Sequence, residues 1–287
     1  MKHALLFGAL SLATITSSVT VTGCFAEPMG DYRHGGDSEI VFGIEQKKNT
    51  DGKLVTAVGY EFLDVRSHGW SARGFVTNDR SCWAERLDDR LGQPRVAGGV
   101  ATFEGGLLPA GGIAVVANRA DDLLFDAPAW KGGEHLTFEA RGFAMPQIRP
   151  SKILVPSLDL AITSPVAPTD NAPELPVPAA RELEITWDGA ALDENVVVSL
   201  VASPASEPAA RGVELRCFFD RSAGKGVFPQ GMMDRFVALL GQPSSEPVKG
   251  KLHIATHRQL TIFADGGWTV YVVASVDQRE QPFVLQR

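Results

Sequence analysis

Short runs in which apolar and polar residues alternate occupy most of the chain. Ile40, Phe42 and Ile44 interleave with Val41, Gly43 and Glu45; residues 54–63 are rich in β-branched and aromatic types; Val100–Phe103, Ile113–Val116 and Leu136–Ala140 follow. Glycine pairs at 98–99, 105–106, 111–112 and 132–133 punctuate these runs. A period of two, broken by turn residues, predicts strands joined by tight connections. In 135–141, Leu136, Phe138 and Ala140 are set to face a core, with His135, Thr137, Glu139 and Arg141 on the other side. The one helix candidate in this half is Ala84–Leu91.

The second half repeats the style. Leu183–Trp187, Val196–Val201, Val213–Phe219, Leu252–Ala255, Leu260–Phe263 and Trp268–Val276 read as strands. A helix interrupts them: Pro229 can open it, Met232, Met233, Phe236, Leu239 and Leu240 share one face, and Gly241 and Pro243 end it. Five prolines fall between 163 and 180. Proline fixes φ and donates no hydrogen bond, so this stretch is expected to be a linker or an edge segment. The expected architecture is all-β: two tandem β-sandwich-like domains, 38–162 and 181–287, joined by a linker at 163–180, with one short helix in the second.

The N-terminus has another character. Lys2 precedes an almost wholly apolar stretch, Ala4–Leu12, and no acid appears before Glu27. These are the parts of a secretory signal. The run Val21-Thr22-Gly23-Cys24 resembles the lipobox of bacterial lipoproteins, with Val rather than Leu at its first position. The resemblance implies cleavage before Cys24 and a diacylglyceryl group on its sulfur. Residues 1–23 are then a signal peptide and 24–37 a lipidated tether, which contains Pro28 and three glycines. Phe25 stands where an inner-membrane retention signal often has Asp, so the expected location is the cell envelope, at the outer membrane. Two further runs resemble fibronectin type III domains. Leu183-Glu-Ile-Thr-Trp187-Asp-Gly is similar to their strand B, and Trp268-Thr-Val-Tyr271-Val-Val-Ala-Ser to their strand F. That resemblance implies a sandwich and no particular function.

Charge and cysteine content narrow the partners. The formal net charge is −7, and removal of residues 1–23 takes away Lys2 and no acid, leaving −8. This argues against nucleic acid, which attracts clustered Lys and Arg. Of the three cysteines, lipidation of Cys24 leaves Cys82 and Cys217 in an oxidising compartment, where they are either a disulfide or two buried thiols. Cys82-Trp-Ala-Glu-Arg86 also echoes Cys217-Phe-Phe-Asp-Arg221, a pattern that duplication or coincidence would produce.

Chemistry is sparse. His253 and His257 are four apart but lie in a strand-like run, where two solvent-facing histidines are expected rather than a zinc pair. Asp88-Asp89, Asp121-Asp122 and Asp170-Asn171 lack a calcium-loop pattern and read as solvated turns. Arg33-His34-Gly-Gly-Asp37 lies in the tether, where a catalytic group is not held in position. No nucleophile elbow, phosphate loop or His-Glu-x-x-His run is present. No metal or cofactor is expected. Trp70 and Trp130, at loop edges, are candidate binding residues for a protein or glycan, against a bland reading in which each folds over its own core. The expected function is non-enzymatic binding or assembly in the envelope. The alternative is a hydrolase whose Ser, His and acidic residues converge only in the fold; a clustered pocket of those types would favour it.

Replacing Cys24 with Ser is expected to abolish palmitate labelling and release the protein from membranes. Wild-type protein that takes up no palmitate and washes off with salt would contradict the lipobox reading.

Overall fold

The computed structural model describes residues 38–48, 52–64, 82–86, 99–116, 123–142, 146–165, 174–179, 181–188, 193–203, 212–241 and 247–286. The signal and tether lie outside these residues. The fold is all-β and sandwich-like, with one short helix. In chain order the strands are β1 (Ser38–Lys48), β2 (Leu54–Asp64), β3 (Cys82–Arg86), β4 (Gly99–Gly105), β5 (Ile113–Val116), β6 (Leu123–Phe125), β7 (His135–Gly142) and β8 (Ile148–Leu154). Then come β9 (Ala161–Ser164), β10 (Leu175–Pro178), β11 (Leu183–Asp188), β12 (Asn195–Ala202), β13 (Val213–Asp220), β14 (Lys225–Phe228), helix α1 (Gln230–Leu240), β15 (Lys249–Ala264) and β16 (Trp268–Gln286).

One large sheet organises the molecule. Its order is β3-β13-β12-β15-β16-β1-β2-β6, with β10 also paired to β16. Two smaller sheets, β14-β11-β9 and β5-β4-β7-β8, accompany it. The first core gathers Val196, Val198 and Leu200 of β12 and Leu215, Cys217 and Phe219 of β13 against Ile185 and Trp187 of β11, Phe228, and Met233, Phe236 and Leu240 of α1. The second gathers Ile40, Phe42 and Ile44 of β1 and Trp268, Val270 and Val272 of β16 against Phe103, Leu136, Phe138 and Trp130. Phe138 is central to the second, its ring centroid 5.2 Å from those of Phe42 and Phe103.

The long β15–β16 hairpin serves both cores. In β15 even-numbered residues face inward throughout: Leu252 and Ile254 join the first core, and Leu260, Ile262 and Ala264 pack on the second. In β16 the parity changes. Val270, Val272, Ala274 and Val276 are buried in the second core, but Phe283 and Leu285 in the first. The register explains this: Ala255 pairs with Asp277 and Ile254 with Arg279, so Gln278 is an extra residue, a β-bulge. Because side chains alternate with period two, one inserted residue moves every later side chain to the other face. Without it Phe283 would face away from its core. Gly250 completes the fit, since a Cβ there would lie 2.5 Å from the Phe283 ring.

Two cores are present, and strands from both sides of 163–180 share the large sheet that serves them. β1 pairs in parallel with the first half of β16, and β3 pairs with β13, so strands from the N-terminal half complete the C-terminal sheet. The described residues form one compact unit. Part of the proline-rich stretch is itself a strand: β10 runs parallel to β16 at 283–286, burying Leu175 and Val177 while Pro176 and Pro178 point outward. Proline suits such a position, where no ladder donor is needed. The two runs that resemble fibronectin strands lie in different cores, Trp187 in the first and 268–276 in the second; the likeness holds at the level of a sandwich. Ala84–Arg86, read as the start of a helix, is part of β3, held there by its ladder to β13. Helix α1 forms as expected, with Gly241 at φ 89 at its end.

Between the cores runs a polar seam. The segment after β8 passes from the four-stranded to the three-stranded sheet, and Ser157 lies on it. Its N–H donates to Glu194 Oε2 at 3.2 Å, and its carbonyl accepts from Thr256 Oγ1 at 3.2 Å and Gln278 Nε2 at 3.3 Å. The buried Glu194 carboxylate pairs with Arg221 Nη1 and lies 3.5 Å from Arg258 Nε. Arg221 also donates to the Asp159 carbonyl, and its own carbonyl accepts from Trp187 Nε1 at 2.8 Å. Glu194→Ala removes the buried carboxylate that pairs with Arg221 and lies beside Arg258, and is expected to cost about 3–5 kcal/mol of stability. Lys225→Ala, which breaks an exposed pair with Glu184, is expected to cost less than about 1 kcal/mol. Urea unfolding of the two variants measures the difference; equal midpoints would remove the seam from its structural role.

Candidate groove on the outer face of the large sheet

Residues that alternate with those of the two cores face the opposite side of the large sheet. There they line a groove of about 380 Å³. β12 supplies Val197, Ser199 and Val201; β13 supplies Glu214, Arg216 and Phe218; β15 supplies His253, Ala255 and His257; β16 supplies Val273, Ser275 and Asp277; β1 adds Glu45. Register brings them into rows. Ser199 sits opposite both Arg216 and His253, and His253 opposite Glu280; Val197 sits opposite Phe218 and Ala255, and Ala255 opposite Asp277.

The first row is the most polar. Arg216 Nε donates to Glu214 Oε1 at 2.7 Å and to Ser199 Oγ at 3.1 Å. The guanidinium lies 5.7 Å from the Trp83 ring centroid, and Trp83 stacks on Phe218 at 5.5 Å. These contacts brace Arg216 between Glu214, Ser199 and the Trp83 ring, an environment suited to its planar fork. His253 Nδ1 stands 3.5 Å from Glu280 Oε2, and Lys251 Nζ lies 2.5 Å from Glu280 Oε1. Hydrogen bonding to Lys251 lowers the Glu280 pKa against the opposing effect of desolvation.

Two groups are perturbed by burial. His257 is buried with its ring edge-on to Phe218 at 5.3 Å, and desolvation lowers its pKa to about 4, helped by the Arg216 charge and opposed by a hydrogen bond with Gln259. It is therefore neutral near pH 7. Desolvation raises the Asp277 pKa, and one of its carboxylate oxygens is buried without a hydrogen-bond partner. An unpaired acceptor at the groove wall costs stability until a donor reaches it.

Of the residues singled out from sequence, Cys24 and Trp70 lie outside the described residues, as do Asp88-Asp89, Asp121-Asp122, Asp170-Asn171 and the 33–37 run. Trp130 is not a surface residue: it is fully buried in the second core, its indole N–H bonded to the Pro156 carbonyl at 3.2 Å. Gln46 accounts for this, since its buried Oε1 accepts from the N–H groups of Ala129 at 2.7 Å and Trp130 at 3.3 Å and draws the loop inward. His253 and His257 share a face, as strand residues four apart do, but only His253 reaches solvent. Burial of His257 beside Phe218 departs from the expected exposed pair. Cys82 and Cys217 are bridged in the structure, directly opposite on β3 and β13 with Cα atoms 4.1 Å apart. The echoing pentapeptides are thus antiparallel neighbours that diverge from that one pair. A loop of 135 residues closed this way lowers the entropy of the unfolded chain by at most about 4–5 kcal/mol. Among the described residues no group of three or more His, Cys, Asp or Glu is placed to hold a metal, and no helix is long and apolar enough to cross a membrane.

Ser199, Glu214, Arg216, Asp277 and Glu280 were not singled out from sequence. Each is one polar residue on the outward phase of a strand, which is the ordinary appearance of a solvated face.

The shift at His257 makes stability depend on pH. Between pH 6.5 and about 4 the unfolded chain binds a proton that the folded His257 does not, so its contribution is present above pH 6.5 and lost as pH falls toward 4. The loss is expected to be on the order of 3 kcal/mol. Asp277 acts in the opposite sense, because its raised pKa lets the folded state take up a proton first. Urea midpoints across pH 4–7 should therefore fall on acidification in the wild type and less in His257→Gln. A His257→Gln profile parallel to the wild type would refute the assignment.

No protein-family model matches the sequence, and no curated protein matches it. Among solved structures, the FN1–FN3 domains of chicken CNTN1 align at 8% identity over 88% of this chain and 67% of that one, with a TM-score of 0.21, a likeness too low to carry an argument.

Proposed function

We propose that this chain is a bacterial envelope lipoprotein, held to the outer membrane through Cys24, whose folded part binds a protein or glycan ligand without catalysis. The observation that carries the binding half is the groove. It combines a braced arginine, an outward histidine and a buried, unpaired carboxylate oxygen with apolar floor residues Val197, Val201 and Ala255. Convergent polar groups on an apolar floor orient a ligand, and Asp277 favours one that presents hydrogen-bond donors.

The pocket has the residue types of the hydrolase alternative, and its geometry supports that reading less well. Ser199 Oγ accepts a hydrogen bond from Arg216, and among the described residues no hydrogen bond links its own O–H to a base, as an activated serine requires. His253 is directed to Glu280, and His257 is buried against the edge of Phe218. The anchor half rests on the signal and the Val-Thr-Gly-Cys24 run.

Ser199→Trp fills the groove from a strand position whose side chain lines it. With Val201 replaced by a photo-crosslinking residue, the protein is expected to capture an envelope component that is lost when Ser199→Trp is added, while the thermal unfolding of the two proteins agrees. Equal capture by both would place the ligand elsewhere. Turnover of an ester, peptide or glycan substrate that disappears in His253→Ala would favour the hydrolase.

A further inference from the structure

The most exposed large apolar side chain among the described residues is Phe263, at 83%. It stands one residue before the end of β15, beside the turn Asp265–Gly267 that joins β15 to β16. The neighbouring positions are ordinary: Leu260, Ile262 and Ala264 pack on the second core, and Trp268 is buried in it. Phe263 is therefore a single apolar group presented at the extreme end of a rigid hairpin.

The register places a second feature at the same end. Ser38, where β1 begins, pairs with Trp268, which in turn pairs with Ala264. The tether consequently enters the fold next to the hairpin tip. The 14 residues from 24 to 37 span at most about 50 Å when fully extended. β16 alone has 19 residues, about 60 Å of strand, so the two ends of the sheet are not equivalent with respect to the lipid: the tip end is the near one.

We infer that the β15–β16 tip is a membrane contact, in which Phe263 enters the interfacial layer of the bilayer that holds the lipid on Cys24. This rests on the lipoprotein reading. An exposed phenylalanine alone binds membrane weakly, but a covalent tether makes the second contact intramolecular and raises its effective concentration. Asp265 at the tip and the net negative chain match zwitterionic rather than anionic headgroups. With the tip down, the row Glu45–Ser275–His257 of the groove stands seven residues along the strands, about 20 Å or more from the bilayer surface, open to ligands in the aqueous space.

The test uses the full lipidated protein in vesicles of zwitterionic phosphatidylethanolamine and phosphatidylcholine. Phe263→Cys is labelled with an environment-sensitive fluorophore. Leu124→Cys is the control, since Leu124 is 69% exposed and β6 pairs with β2 near Val58, about 20 Å along the strand from the tip. The expected result is protein that incorporates palmitate and floats with vesicles, with the 263 probe blue-shifted and quenched by spin-labelled lipid and the 124 probe unchanged. Floating, palmitate-labelled protein whose 263 probe stays in water overturns the tip contact and leaves the anchor standing. Quenching of both probes alike overturns the stated orientation. Failure to incorporate palmitate or to float overturns the anchor, and the tip contact with it.

Discussion

Glu194 stands where two cores would otherwise have to meet as apolar surfaces at different heights on one sheet. Its carboxylate is buried and spent on Arg221, the Ser157 N–H and the neighbourhood of Arg258. Each of these groups belongs to a different part of the chain: the crossing segment after β8, the turn after β13, and the middle of β15. A buried acid tolerates only a narrow set of surroundings, because an unpaired charge there is far more costly than a lost apolar contact. The seam therefore fixes where the four-stranded sheet ends and the three-stranded one begins. The bulge at Gln278 is its counterpart on β16, and the Gln278 side chain bonds directly into it, to Thr256 Oγ1 at 2.9 Å. Position along the sheet is set by charge and face by the bulge.

Much of this was legible in the chain as individual strands. The alternation of Leu136, Phe138 and Ala140 with polar neighbours is the burial pattern of β7, and the spacing of Met233, Phe236 and Leu240 is the buried face of α1. What was not legible is pairing. Nothing local in 38–48 announces a partner more than two hundred residues away, because a strand's edge exposes the same N–H and C=O groups whatever its sequence. The prolines at 176 and 178 mark an interruption as plainly as an edge strand, and only the ladder to β16 decides between them. Trp130 shows the same limit at short range, where Ala-Pro-Ala reads as surface until the carboxamide of Gln46, on another strand, is seen to hold it.

The groove was illegible for a related reason. Ser199, Arg216, His253 and Asp277 come from four strands and are ordinary solvent-phase residues in each. Their proximity follows from register alone, so a one-residue slip of β15 would replace His253 and His257 by core residues on that face. The difference between the two histidines is equally non-local. Both point the same way, and Phe218 packs against one of them at 5.3 Å. The disulfide secures β3, which carries Trp83, at the edge of β13; an uncoupled β3 would take away the ring against which Arg216 lies.

The pairing of the first strand with the last has a consequence for biosynthesis. β1 is made more than two hundred residues before β16, and its inner residues Ile40, Phe42 and Ile44 gain their neighbours Val270, Val272 and Ala274 only when that strand emerges. The first core cannot close early either, since Phe283 and Leu285 come from the same strand. The two smaller sheets lie wholly within 99–228 and can pair early, but neither core closes before β16 is made, so the large sheet stays open until synthesis is nearly finished. Under the proposed export, in which a polypeptide passes the membrane as an extended strand, late closure is an asset. The same dependence makes truncation unforgiving: a product released before Trp268 lacks the strand common to both cores, and is left as exposed apolar edges for proteases to find.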